Sequence, residues 1–250
     1  MSHLPDEVQR QVRERWDPEF TWVENQFIPW AHLQKPVAQC RLVLITTGGL
    51  YLANQFQEPF SDHPHGDPSF REFPAAVQLE DLRIAHPGYD TAHAEADRNV
   101  VFPLDRLREL ERSGVIGRLA PFHYSFMGHL TRPLSLLADS LPNLVERVRR
   151  AEADVALIGA VSPLCHQTAG LISRALEAAG IPTLVVGVEP SLWERVRPPR
   201  AVWSRHPFGA PFGQPGNRGK QTELLRMALE ALETMQTRGS VWELPLAWRD

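Results

Sequence analysis

The amino-acid sequence predicts an α/β fold: two Rossmann-like or flavodoxin-like halves whose parallel sheets flank an active-site cleft. Three observations predict it. Val155 to Val161 is an unbroken apolar run, the pattern of a strand buried on both faces of a parallel sheet. Leu171, Ile172, Ala175, Leu176 and Ala179 then recur at helical spacing, and Gly180 supplies a stop. Pro182 to Val188 is a second apolar run, which completes a strand–helix–strand unit with a right-handed crossover. Ligands of open parallel sheets bind beyond the carboxyl ends of the strands. The loop expected there is Ser162-Pro163-Leu164-Cys165-His166-Gln167-Thr168. Cys165 stands at a helix N-terminus, where exposed amides favour the reactive thiolate. A packed, inert thiol is the alternative at such a position.

The chain has 250 residues, 43% hydrophobic and 22% charged, with a net charge of −4. That length suffices for one α/β domain or two small ones. The acidic balance argues against nucleic-acid or anionic-membrane partners. No apolar run reaches the length of a membrane span, and no apolar signal core opens the chain. The two cysteines, Cys40 and Cys165, form no framework, so a reducing cytoplasm is expected. The 22 prolines concentrate in loops, which predicts long ordered connections.

Residues 1–36 read as a helix and an irregular arm anchored by Trp16, Phe20, Trp22, Phe27 and Trp30; such an arm can also cover a subunit interface. The first half is expected over 37–130 and the second over 131–250. Arg41 to Ile45 is the first strong strand and runs into Thr46-Thr47-Gly48-Gly49. Glycines after a strand let backbone amides approach an anion, but the stretch is neither GxGxxG nor a Walker loop, so no nucleotide cofactor is inferred.

Long connections fill 54–103, around a short strand at Asp81 to Ala85. Within them His86, Asp90, His93 and Asp97 fall 4, 3 and 4 residues apart, which is ligand spacing if they share a helix face. Pro87-Gly88 opposes a helix starting at His86, so loop residues and caps are expected and no metal is predicted. Pro103 to Arg112 is an amphipathic helix with Pro103 at its first position. Pro121 to His129 combines hydroxyls, imidazoles and aromatics in a pattern suited to a pocket wall or to core packing. Residues 134–152 form one helix or a pair broken at Pro142. A last strand is expected at Ala201 to Trp203, a loop over 206–217, a helix over 218–236 and a packed apolar tail.

Several of these stretches together resemble the selenoprotein B component of glycine, sarcosine, betaine and D-proline reductases. They are TTGGLY at 46–51, GDPSFREFP at 66–74, the run from His86 to Gly117, HYSFMG at 123–128, the run from Ser162 to Thr183, and HPFGAPFGQPGN at 206–217. The resemblance implies reductive cleavage of a carbon–heteroatom (C–N type) bond of a small polar substrate. It places the family's selenocysteine at Ser162, in a Ser-Pro-Leu-Cys loop. Three explanations of that serine stay open: Cys165 is a resolving or surviving thiol, with His166 or His123 as a base; serine has been put in place of selenocysteine or cysteine; or the redox step is lost and the chain binds a ligand or partner. Thr47, Gly48, Gly49, Tyr124 and Ser125 would bind substrate. No cofactor is predicted beyond the selenocysteine of active relatives. Partner subunits or a thiol reductant, and a homo-oligomer, are expected. Two other readings are a metal-assisted lyase or hydrolase using His86, Asp90, His93 and Asp97, and a non-catalytic binding subunit.

Overall fold

The computed structural model describes residues 3–53 and 57–248. The first three residues of the expected 54–103 connection, the first two of the arm and the last two of the tail lie outside the described residues.

In chain order the elements are α1 (Leu4–Arg15), β1 (Arg41–Thr46), β2 (Leu50–Leu52), β3 (Phe70–Pro74), β4 (Leu82–Ile84), α2 (Ala92–Ala96), α3 (Leu104–Arg112), β5 (Arg118–Leu119) and β6 (Phe122–Phe126). There follow α4 (Leu141–Arg150), β7 (Val155–Gly159), α5 (Pro163–Ala178), β8 (Thr183–Gly187), β9 (Arg200–Arg205), α6 (Arg218–Thr234) and β10 (Ser240–Ala247). The main sheet has the order β10-β9-β8-β7-β1-β6-β3, with β5 also paired to β1; β2 and β4 form a separate ribbon. All pairings of the main sheet are parallel except that of β3 with β6.

The chain is therefore α/β with a mostly parallel sheet, as its apolar runs predict. The two halves, however, do not carry separate sheets. β1 hydrogen-bonds directly to β7, from Leu42↔Val155 to Thr46↔Gly159. Both strands are buried on both faces and need neighbours for their ladders as well as for their side chains. The loops after β1 and β7 consequently lie side by side at one carboxyl edge: Thr47 donates to the Gly159 carbonyl through both its N–H (3.1 Å) and its hydroxyl (2.8 Å).

Alternation along the strands divides the core. Leu42, Leu44, Leu157 and Val186 face α3 and α6, whereas Val43, Ile45, Ile158 and Val185 face α4 and α5. Of the two alternatives for 134–152 the unbroken one holds: the helix runs without a gap, a π-helical turn at Leu136–Ser140 passing directly into α4, whose first turn accommodates Pro142. The tail does more than pack down, because β10 extends the sheet as a parallel edge strand on β9. The expected arm is present. Val8, Val12, Phe20 and Trp22 pack on Leu164 and Leu192, which sets α1 over the start of α5.

α5 begins earlier than the apolar spacing from Leu171 indicates. Ser162 is its N-cap, with Pro163 in the first turn, a pairing that pre-organises a helix start. The stretch expected as a loop is thus a cap and the first turns of a helix. Among the described residues no helix is long and apolar enough to cross a membrane.

Candidate active site

The carboxyl edge of the sheet collects five segments. The turn after β1, the loop after β4, the turn after β6, the start of α5 and the 206–217 loop meet there. Gly49 N–H donates to the Phe126 carbonyl (2.8 Å), Tyr89 hydroxyl to the Gly48 carbonyl (2.9 Å), and Gly209 N–H to the Val161 carbonyl (2.8 Å).

Cys165 sits at the centre of this edge and is fully buried. Its Sγ lies 3.2 Å from His86 Nε2 and donates towards the Thr47 carbonyl at 3.3 Å. Its own N–H donates to Ser162 Oγ at 3.4 Å. Burial pushes the thiol up, against hydrogen bonds from Ser162 and Thr47 that favour the thiolate. His86 is half-buried. Burial, and secondarily the neighbouring His129, hold its imidazole well below the ordinary histidine range, so it is neutral at physiological pH. Gly88 N–H donates to His86 Nδ1 at 2.9 Å. The rings of Tyr89 and His129 lie 4.6 and 6.2 Å from that of His86.

Two small pockets adjoin this group. One, of about 330 Å³, is lined by Trp16, Phe60, His63, His86, Met127 and His129. The other, of about 340 Å³, lies between α1 and the Pro87–Tyr89 turn and reaches Leu164. Trp16 packs edge-on against His129 at 4.6 Å and closes the floor between them. Two wider grooves, of about 600 and 630 Å³, lie elsewhere and are lined by neither cysteine nor histidine.

The remaining site residues expected from the sequence are placed otherwise. Ser162 Oγ is engaged in capping α5, and no histidine of the described residues hydrogen-bonds to that hydroxyl. His166 turns away from Cys165: its Nδ1 donates to the Ser162 carbonyl (2.7 Å), and its Nε2 accepts from Val188 and Glu189 N–H (3.2 and 3.4 Å). Burial lowers it to about 4. His123 accepts the Leu44 N–H at Nδ1 (3.0 Å) and is lowered to about 3 by burial. The ladder of β1 passes from β5 to β6 beside Leu44, and the imidazole supplies the acceptor missing at that break. Neither histidine contacts the thiol.

Gly48 and Gly49 do not offer free amides, since Gly48 N–H donates to Thr46 Oγ1 (3.1 Å) and Gly49 N–H to Phe126. Tyr124 packs in the core against Phe70, and Ser125 Oγ accepts the Leu50 N–H at 2.8 Å. Thr47 alone of the expected substrate-binding group touches Cys165: its carbonyl accepts from the thiol, and its hydroxyl side chain adjoins the sulfur.

The acidic and imidazole quartet is dispersed. His86 faces Cys165, Asp90 caps Ala92 N–H, and His93 stacks on Trp248 at 5.0 Å. Asp97 accepts from Asn99 and Gly216 N–H and from Gln221. α2 starts only at Ala92, so the four never share a helix face. Among the described residues no group of three or more His, Cys, Asp or Glu is arranged to hold a metal.

Gly128 fixes the far side of the thiol. It has φ +69°, and a Cβ there would lie 2.5 Å from Cys165 Sγ and 2.8 Å from the Thr47 oxygen. Gly128→Ala is expected to lower stability by roughly 1–3 kcal/mol and to displace Sγ from His86. Urea denaturation and the rate of Cys165 alkylation measure the two effects.

The sequence reading did not find the Cys165–His86 contact, which spans 79 residues. The HPGYD stretch offered a signal, because a glycine-bearing turn beside a histidine at a strand end is where a ligand or side chain is approached closely.

Residues 8–139, more than half of the chain, match the family described as glycine/sarcosine/betaine reductase selenoprotein B. The D-proline reductase subunit gamma of Acetoanaerobium sticklandii is 29% identical over 216 residues, covering 86% of this chain and 88% of that protein. The glycine reductase complex component B subunit gamma of Symbiobacterium thermophilum is 29% identical over 228 residues, covering 84% and 50%. The sarcosine reductase complex component B subunit beta of Peptoclostridium acidaminophilum is 24% identical over 249 residues, covering 92% and 54%. The chain thus spans most of the first relative and about half the length of the other two. No solved structure matches. With a family match running from α1 through the His86 turn and β6, and relatives covering the α5 half as well, this chain belongs to the glycine/sarcosine/betaine reductase selenoprotein B family.

Proposed function

We propose that the chain is a component of a reductase complex of the selenoprotein B type, and that Cys165 carries its chemistry in reductive cleavage of a C–N type bond of a small polar substrate. The observation that supports this is the thiol at the first turn of α5, paired with His86 beneath a small pocket. Ser162 occupies the position that resembles the selenocysteine of active relatives, but its hydroxyl is a capping group with no base beside it, a poor nucleophile at neutral pH.

In this reading the Cys165 thiolate attacks the carbon bearing the substrate ammonium. The C–N bond breaks, its electron pair leaves with the nitrogen as free amine, and a thioether remains on Cys165. A thiol or selenol of a partner subunit then takes the sulfur. The carbon departs with the S–C electron pair and gains a proton, and Cys165 is left in a mixed disulfide or selenenyl sulfide. A second thiol reduces that bond. The two reducing electrons come from partners. Cys40 sits just before β1 at the opposite end of the sheet, where burial raises its thiol to about 11.

Cys165→Ala is expected to abolish turnover of the reconstituted complex, while Ser162→Ala retains it. Full turnover in Cys165→Ala would remove the thiol from the mechanism and leave the chain a non-catalytic subunit, the reading that the complete burial of Cys165 favours.

A further inference from the structure

We propose that His86 serves Cys165 as a fixed hydrogen-bond donor to sulfur and not as its base. The contact geometry carries this. A neutral imidazole has one N–H and one lone pair. Gly88 N–H, 2.9 Å from Nδ1, claims the lone pair of that nitrogen. The ring proton therefore belongs to Nε2, the nitrogen 3.2 Å from Sγ. A base needs the opposite arrangement, with an acceptor behind the distal nitrogen to steady an imidazolium. Here a donor stands behind it, and protonation of Nδ1 would set two N–H groups against each other.

The thiol has its own outlet. In the resting arrangement Sγ–H points to the Thr47 carbonyl, 3.3 Å away. On ionisation that proton is lost to water, and the Nε2–H bond to sulfur becomes charge-assisted. The same donor acts twice. It stabilises the thiolate that attacks, and it stabilises Cys165 when it is expelled from a mixed disulfide. The titratable groups that face His86 are Tyr89, His129 and Cys165 itself. Tyr89 is spent on the Gly48 carbonyl, and burial holds His129 neutral, down to about 4. The Met127 carbonyl, 4.0 Å from Sγ, is an acceptor and offers the thiolate nothing.

This inference rests on Cys165 as the reacting group but is tested without turnover. The rate of alkylation of Cys165 by iodoacetamide is measured against pH, with peptide mapping to separate it from Cys40. His86→Gln keeps an N–H near the Nε2 position and is expected to titrate like the unsubstituted chain. His86→Leu has no donor, and its thiolate at a fixed pH is expected to fall about ten- to a hundredfold. Equal loss in both variants overturns the proposal, as does a second inflection from imidazole ionisation in the unsubstituted profile. The long-range ¹H–¹⁵N spectrum of the unsubstituted chain gives an answer even if a variant fails to fold. A proton on Nε2 alone at neutral pH is expected, and a proton on Nδ1 overturns the proposal. A dispensable Cys165 would show in turnover and leave these titrations unchanged, so the two readings fail separately.

Discussion

Arg200→Ala is expected to lower the stability of the chain by about 3–5 kcal/mol, the usual cost of removing one partner of a buried ion pair. Arg200 and Glu177 are almost wholly inaccessible and joined through Nη1 and Oε1. The other Glu177 oxygen accepts the Ala31 N–H, and Thr183 donates to Oε1 through its N–H (2.8 Å) and hydroxyl (3.1 Å). Arg200 Nη2 donates to the Ala31 carbonyl at 2.7 Å, and Trp30 lies over the guanidinium at 3.5 Å. Burial pushes Glu177 up and Arg200 down, and their mutual attraction opposes both shifts. Without Arg200 the carboxylate remains in an apolar setting with its charge uncompensated.

The pH dependence follows from that sign. A carboxyl raised above its unfolded value of about 4.3 costs most where it is ionised in the unfolded chain, so the loss is full at neutral pH and shrinks as acidification protonates Glu177. Urea denaturation of Arg200→Ala, Glu177→Gln and the double variant measures it. The double variant is expected to lose less than the sum of the singles, and strict additivity would show that the pair does not act as a unit. Loss on this scale is a large part of the roughly 5–15 kcal/mol available to a domain. Its first symptom is expected to be proteolysis of the arm, because Trp30 and Ala31 are the arm residues the pair holds.

What the sequence discloses is decided by the range of the interactions. β1, β7 and β8 are legible because a strand buried on both faces has to be apolar along its whole length, as Leu42–Ile45 and Val155–Ile158 are. α3 and α6 are legible from their stripes, Leu104, Leu107 and Leu110 in one and Leu224, Leu225 and Ala228 in the other. β10 is not, because Val241 and Trp242 are exposed on an edge strand that pairs on one side only and needs no continuous apolar run. The direct pairing of β1 with β7 depends on strand order, which periodicity does not encode. The site divides in the same way. Cys165 is found from its place at a helix start, a local property. His86 reads in the sequence only as a loop residue, and its contact with Cys165 is not legible because the two stand 79 residues apart. His123 and His166, offered as bases by the resemblance, are engaged by the Leu44 and Val188 N–H groups, and a histidine that completes a backbone ladder or anchors a loop is indistinguishable in sequence from a catalytic one.

Ser162→Cys is expected to convert a chain without a disulfide into one that forms it readily. Residues at the N-cap and third position of a helix lie within the roughly 4.4–6.8 Å Cα separation that a disulfide spans, and the Ser162 side chain already hydrogen-bonds in the Cys165 environment. A cysteine at 162 would take over the N-cap position of α5, where the helix N-terminus favours the thiolate. Oxidised glutathione should drive the pairing. One new thiolate attacks the glutathione disulfide, glutathione leaves as thiolate, and the second cysteine displaces the other glutathione. Two protein thiols are thereby oxidised and one glutathione disulfide is reduced. Loss of the Ser162 cap costs the reduced variant about 0.5–2 kcal/mol, small against the roughly 5–15 kcal/mol of a domain. The readout is loss of two titratable thiols and a protease-resistant link between residues 162 and 165. A folded variant whose thiols stay free under that oxidant would mean that position 162 is only a cap, without the geometry of a disulfide pair with Cys165. Ready closure would show that positions 162 and 165 have the geometry of a disulfide pair, which the serine hydroxyl of this chain cannot form.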